Sequence, residues 1–168
     1  GKNPIEPSFK GMDFIKGDVR DKKLLLEILP EVETIFHLAA ETGTGQSMYE
    51  IEKYVSVNVT GTSILLEAIA EVGNNGIKFV LASSRSIYGE GAYLDEENRI
   101  IQPRSRSLDQ LSKENWDFLS KNNRKLTAIA TPENSLPSPS SIYAATKYSQ
   151  EILVDIGSTS LGMRRSTL

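Results

Sequence analysis

Two nearly continuous apolar runs limit what this chain can fold into. They are Thr34-Ile35-Phe36-His37-Leu38-Ala39-Ala40 and Ile77-Lys78-Phe79-Val80-Leu81-Ala82-Ser83. Runs of this length with so little alternation suit strands covered on both faces, as in a parallel sheet. Between them a helical pattern runs over 49–72, with apolar residues at Ile51, Val55, Val59, Leu65, Ala68, Ile69 and Val72, and Gly73-Asn74-Asn75-Gly76 stops it. Strand, helix and strand in this order form a βαβ unit.

The flanking segments extend the same plan. Gly1-Lys2-Asn3-Pro4 and Pro7-Ser8 read as loop, and Met12-Asp13-Phe14-Ile15-Lys16 as a short strand stopped by Gly17-Asp18. Asp21 caps a helix expected over 22–29 that turns Leu24, Leu25, Ile28 and Leu29 inward and ends at Pro30. A further helix starts near Ser140 or Ser141, carries Tyr143, Lys147, Ile152, Leu153 and Ile156, and ends between Gly157 and Gly162. A strand then begins in 163–168. The expected fold is α/β, a Rossmann-like parallel sheet flanked by helices. The stretch 91–139 breaks the plan, being polar, aperiodic and rich in Ser, Asn, Arg and Pro. It is expected to hold one short helix around 111–120, anchored by Trp116 and Phe118, within a functional lid or a disordered excursion.

Composition removes several classes of chemistry. At 168 residues the chain is long enough for one domain with a real core, and 39% hydrophobic and 24% charged residues are ordinary for a globular protein. A formal net charge of −3 gives no reason to expect nucleic acid or an acidic membrane as partner. No cysteine is present, which excludes disulfides, thiolate catalysis and Cys-ligated zinc. His37 is the single histidine and reads as a packed strand residue, so a multi-histidine metal site is excluded. No apolar run reaches transmembrane length and no signal pattern opens the sequence, which makes the cytoplasm the simplest compartment.

Tyr143-Ala144-Ala145-Thr146-Lys147 carries the chemistry. A tyrosine and a lysine four residues apart share a helix face, roughly 6 Å apart at Cβ. An ammonium that close favours the phenolate. Ser84, at the end of the second apolar run, supplies a hydroxyl to bind an alcohol or carbonyl oxygen beside the pair. Such Tyr–Lys pairs also occur on solvated helix faces, so the wider pattern has to decide. No strand–glycine turn–helix with G-x-G-x-x-G is found: Thr42-Gly43-Thr44-Gly45 has two glycines at the right spacing, but Met48 stands where the third belongs. The sequence reads as the middle of a larger protein.

In order, Gly17-Asp18-Val19-Arg20-Asp21, His37-Leu38-Ala39-Ala40, Asn58-Val59-Thr60-Gly61-Thr62, Ala82-Ser83-Ser84 with Ile87-Tyr88-Gly89, and Tyr143 to Lys147 resemble the extended short-chain dehydrogenase/reductase family. Its members include NAD-dependent nucleotide-sugar epimerases and dehydratases. The resemblance implies that 1–168 is part of an NAD-binding domain with an insertion at about 91–139. The pyrophosphate-binding start and most of the sugar-binding lobe are absent from the sequence as it stands. It implies NAD contacts from Asp18 and Val19 to the adenine, and from Leu38, Ala39, Ala40 and Thr42 at a strand end. Asn58 is placed in support of the active-site backbone or beside the nicotinamide, with a purely structural role left open. Asn58-Val59-Thr60 also matches a glycosylation sequon, which a helix face packed on a sheet does not offer. Arg104, Arg106, Arg164 and Arg165 read as solvated charges, although one arginine from the insertion can reach a diphosphate.

The resemblance further implies Tyr143 as base, Lys147 as its cation and ribose ligand, and Ser84 as donor to the sugar oxygen. It implies a nucleotide-diphosphate sugar as substrate. It also implies a homodimer built on the helices at 49–72 and 141–156. Dehydratases of the family carry Thr-Asp-Glu where this chain has Ser84-Arg85-Ser86, which favours C4 epimerisation through a transient keto sugar over water elimination and over net reduction. The segment 41–47 with Gly89-Glu90-Gly91 is similar to a bacterial subgroup that includes dTDP-L-rhamnose 4-epimerases. A non-catalytic, regulatory dinucleotide-binding domain is the alternative.

Overall fold

A computed structural model describes residues 11–73 and 76–168. The loops expected at Gly1-Lys2-Asn3-Pro4 and Pro7-Ser8, and Asn74-Asn75, lie outside the described residues. Helix α1, Lys22–Ile28, begins where Asp21 Oδ1 accepts the Leu24 N–H at 3.1 Å. Its Leu25, with Leu29 just beyond, is buried. Strand β1, Thr34–His37, pairs parallel with β2, Lys78–Leu81, and β2 pairs parallel with β6, Arg164–Thr167. Helix α2, Ile51–Val72, crosses from β1 to β2, and α4, Ile142–Leu161, precedes β6. Leu65, Leu66, Ala68 and Ile69 of α2 and Val154 of α4 pack with Phe79 and Leu81 of β2 into one core.

Four expectations need correction here. Residues 12–16 form no strand; Met12, Phe14 and Ile15 are exposed, and no described strand offers them hydrogen bonds. The β1 run is covered on one face only: His37 is buried while Phe36 is 65% exposed, and Leu38 beyond the strand end is exposed too. Helix α2 starts at Ile51 rather than Tyr49, whose side chain stands in the open. By length and apolarity α2 could span a bilayer, which the sequence pattern had not suggested. Its buried Tyr54, Asn58 and Thr62 instead mark it as a core helix.

The insertion is an ordered unit rather than a single helix. Strands β3, Ala92–Leu94, β4, Ile100–Ile101, and β5, Thr127–Ile129, form a small antiparallel sheet in the order β4-β3-β5. Its helix α3 is Leu108–Ser112, capped by Ser107 Oγ, which accepts the Gln110 N–H at 3.1 Å. Helix geometry over 111–120 is broken at Glu114, whose φ is 54°. Phe118 is the anchor, stacked edge-on to Tyr93 at 5.1 Å, whereas Trp116 is 61% exposed. Arg106 is no solvated charge: its guanidinium lies 3.9 Å from the Phe118 ring centre and pairs with Glu90 at 3.0 Å. Arg165 pairs with Asp155.

Candidate active site

Ser84 follows β2 at the carboxyl end of the parallel sheet, where open α/β sheets bind ligands. Its extended backbone opens the 3₁₀ turn Arg85–Tyr88, and its Oγ accepts the Ser86 N–H at 3.2 Å and lies 2.7 Å from Ser86 Oγ. The turn closes at Gly89, with φ 62°, where a Cβ would collide with the Ser138 carbonyl, so only glycine fits. The Ser138 N–H donates back to the Ile87 carbonyl at 2.7 Å, which fastens the end of the insertion to the turn. Ser84 faces a cleft shared with Tyr88, Glu133, Glu151 and Leu168.

Tyr143 and Lys147 occupy successive turns at the start of α4, which packs against the 85–88 turn. Ser141 Oγ caps the helix by accepting the Ala144 N–H at 3.1 Å. Tyr143 is half-buried. Lys147 is 3% exposed and makes no ion pair among the described residues. Burial pushes its ammonium below the ordinary lysine range, while Glu151 partly offsets this. No hydrogen bond joins Ser84 to Tyr143, or Tyr143 to Lys147; in a site without substrate such contacts need not be closed.

Asn58 turns out to be the hub. It lies in a π-helical segment, Val55–Thr60, inside α2, a local widening that the apolar periodicity did not reveal. The fully buried side chain accepts the Glu41 N–H at 2.8 Å and donates to the Glu41 carbonyl at 3.1 Å. Its second amide hydrogen goes to Thr146 Oγ1 at 2.9 Å, and the Thr146 hydroxyl donates to the Tyr143 carbonyl at 2.8 Å. Below it, His37, Thr62 and Gln150 form a second buried cluster: Thr62 Oγ1 lies 2.8 Å from His37 Nε2 and accepts from Gln150 Nε2 at 2.7 Å.

The other expected residues surround this hub. Leu38 and Ala39 are exposed past the end of β1, Ala40 is half-buried, and Thr42 is exposed with its carbonyl accepting the Tyr54 hydroxyl at 2.6 Å. Asp18 does not cap α1. Its carboxylate accepts from Arg20 Nε and Nη2 and from the Arg20 N–H, which hold its pKa down at about 2. Arg20 also reaches Ser56 at 2.9 Å, and half-buried Val19 packs at Gly61, where a Cβ would stand 2.6 Å from Val19 Cγ1. The 18–20 loop is thus docked on the helix that carries Asn58. Sequence reasoning missed Ser47, Tyr54, Thr62, Thr146 and Gln150. The signal available was polar residues on otherwise inward-facing helix positions.

Residues 2–107, more than half of the chain, match the family described as GDP-mannose 4,6-dehydratase. The chain belongs to this family. The resemblance to nucleotide-sugar epimerases and dehydratases is thereby borne out. Within the family its relatives include epimerases. A dTDP-L-rhamnose 4-epimerase of Burkholderia thailandensis is 40% identical over 144 residues, 83% of this chain and 38% of that protein. A UDP-glucose 4-epimerase of Mycoplasma genitalium is 33% identical over 61% of this chain and 31% of its own length. The fold is shared with UDP-glucuronic acid 4-epimerase from Bacillus cereus, solved with UDP-glucuronic acid and NAD. The TM-score is 0.64 at 24% identity, covering 92% of this chain and 37% of that one. The family member described here therefore spans well under half the length of the relatives it matches.

Proposed function

We propose that the full-length protein epimerises a nucleotide-diphosphate sugar at C4 with NAD as cofactor, and that residues 1–168 are part of its NAD-binding domain. The reading is carried by Lys147: a buried ammonium without an ion pair among the described residues, one helical turn from Tyr143. A buried cation is costly unless a partner arrives, and a phenolate and a ribose hydroxyl are suitable ones. Its relatives are named as 4-epimerases of dTDP-L-rhamnose and UDP-glucose, which supports C4. Ser84-Arg85-Ser86 offers no carboxylate for eliminating water.

The residues present suit NAD. Leu38, Ala39, Ala40 and Thr42 would line its approach at the strand end, Asp18 and Val19 would meet the adenine, Lys147 the ribose, and Asn58 would hold the Glu41 backbone beneath. When bound, NAD accepts and returns hydride. The chain's own work is proton handling: Tyr143 takes the proton from the sugar hydroxyl and later gives one back, while Ser84 donates to the same oxygen as it becomes a ketone. Full-length protein given a panel of nucleotide sugars should invert C4, followed by NMR, without accumulating NADH. Loss of water would make it a dehydratase, stoichiometric NADH a dehydrogenase, and inertness towards every sugar a non-catalytic domain.

The same reading places the protein in the cytoplasm as a homodimer. Ile51 and Val55 on α2 and Ile152 and Ile156 on α4 are exposed apolar residues on the two helices through which the family resemblance implies a homodimer. Sedimentation of the full-length protein should give a dimer at micromolar concentration; a monomer would exclude this assembly.

A further inference from the structure

Ser47 is fully buried although it sits in a polar loop of largely exposed residues, Thr42 to Gln46. Its hydroxyl donates to the Thr44 carbonyl at 2.6 Å, and its Oγ accepts the Tyr143 N–H at 3.0 Å from across 96 residues of chain. The first N–H groups of a helix have no partner within it. In α4 the local cap, Ser141, serves Ala144 through its side chain and Ala145 through its carbonyl. That leaves the Ile142 and Tyr143 N–H groups, and Ser47 takes the one on Tyr143.

The carbonyl of Tyr143 is held as well, by Thr146, which Asn58 ties to Glu41. Both backbone groups of the proposed base thus run, through side chains, to the two ends of the 41–47 loop. Tyr54 braces the middle: its hydroxyl donates to the Thr42 carbonyl and its ring meets the Tyr143 ring edge-on at 6.3 Å. The Tyr143 side chain hangs from the first turn of α4, the turn that frays most readily. Its direction is therefore only as well defined as that turn.

We infer that Ser47 is a positioning residue for Tyr143, a helix cap supplied by the 41–47 loop that fixes the first turn of α4 and couples the loop to the base. This rests on the reading of Tyr143 as the catalytic base. Placement errors of about 1 Å in a reacting group can cost ~10²-fold, so a single buried bond at the backbone of that residue can matter to turnover.

The test uses the full-length protein. Ser47→Ala should speed hydrogen exchange of the Tyr143 amide by about fivefold or more, the worth of one buried hydrogen bond, while the Leu153 and Val154 amides keep wild-type rates. With the nucleotide sugar that the wild type turns over, Ser47→Ala should lower kcat by about tenfold at unchanged KM. Ser47→Thr, which keeps the hydroxyl, should restore both. Unchanged Tyr143 exchange overturns the inference. So does faster exchange along the whole of α4 that Ser47→Thr fails to correct, because Ser47 would then support only the fold. If the wild type turns over no sugar, the functional reading fails, and the exchange rates alone still decide whether the loop caps Tyr143.

Discussion

Tyr143→Phe in the full-length protein is expected to cut C4 epimerisation by at least ~10²-fold, the usual scale of a general base. The substitution keeps the ring and so keeps the edge-on packing against Tyr54. It also leaves both backbone tethers, to Ser47 and Thr146, in place. A loss of rate would then report the missing hydroxyl and not a displaced helix, provided the variant melts with the wild type. Ser84→Ala should cost a comparable factor, because it removes the donor to the reacting oxygen. Ser86 remains beside it, 2.7 Å from Ser84 Oγ, but does not line the cleft that Ser84 faces. If Tyr143 and Ser84 act on one oxygen, the double variant should be little slower than the worse single one, since residues that act as a unit are not additive. Rates of Tyr143→Phe within a factor of two or so of wild type would remove this residue from the chemistry.

The parts of this architecture that local sequence controls were legible. Asp21 announced a cap, the β1 and β2 runs announced parallel strands, and the Tyr143–Lys147 spacing announced a shared helix face. What escaped was whatever depends on a distant partner. The 12–16 run has strand composition, yet a strand exists only through hydrogen bonds to a neighbour, and no described strand supplies them. The insertion read as aperiodic because its strands are two and three residues long, too short to show alternation. In the site, Ser84, Tyr143 and Lys147 stood out by motif. The polar frame beneath them did not, because His37, Thr62 and Gln150 meet across 25 to 113 positions of sequence. Asn58 was singled out as a polar residue in an apolar helix, but it grips Glu41 from within a π-helical widening that no periodicity predicts.

Acid should loosen this frame through His37. The imidazole is enclosed by α2 and α4, and burial, with the nearby Lys147 ammonium, lowers its pKa from 6.5 to about 4. The Thr62 hydroxyl donates its one proton to the Asn58 carbonyl at 2.6 Å and lies 2.8 Å from His37 Nε2, which the Gln150 amide nitrogen also approaches at 3.2 Å. A second proton on the ring would add a buried charge beside a buried cation. The unfolded chain binds that proton below pH 6.5, while the folded protein resists it until about pH 4. Between these values the unfolded state holds more protons, so stability rises with pH across the window and is lost as pH falls through it. The shift corresponds to about 3 kcal/mol at most. Urea unfolding of the full-length protein at several pH values from 7 to about 4 should show this decline, and His37→Gln, which keeps an amide donor for Thr62, should flatten it by that amount. Parallel declines in wild type and variant would assign the acid sensitivity to carboxylates and leave His37 without a role in it.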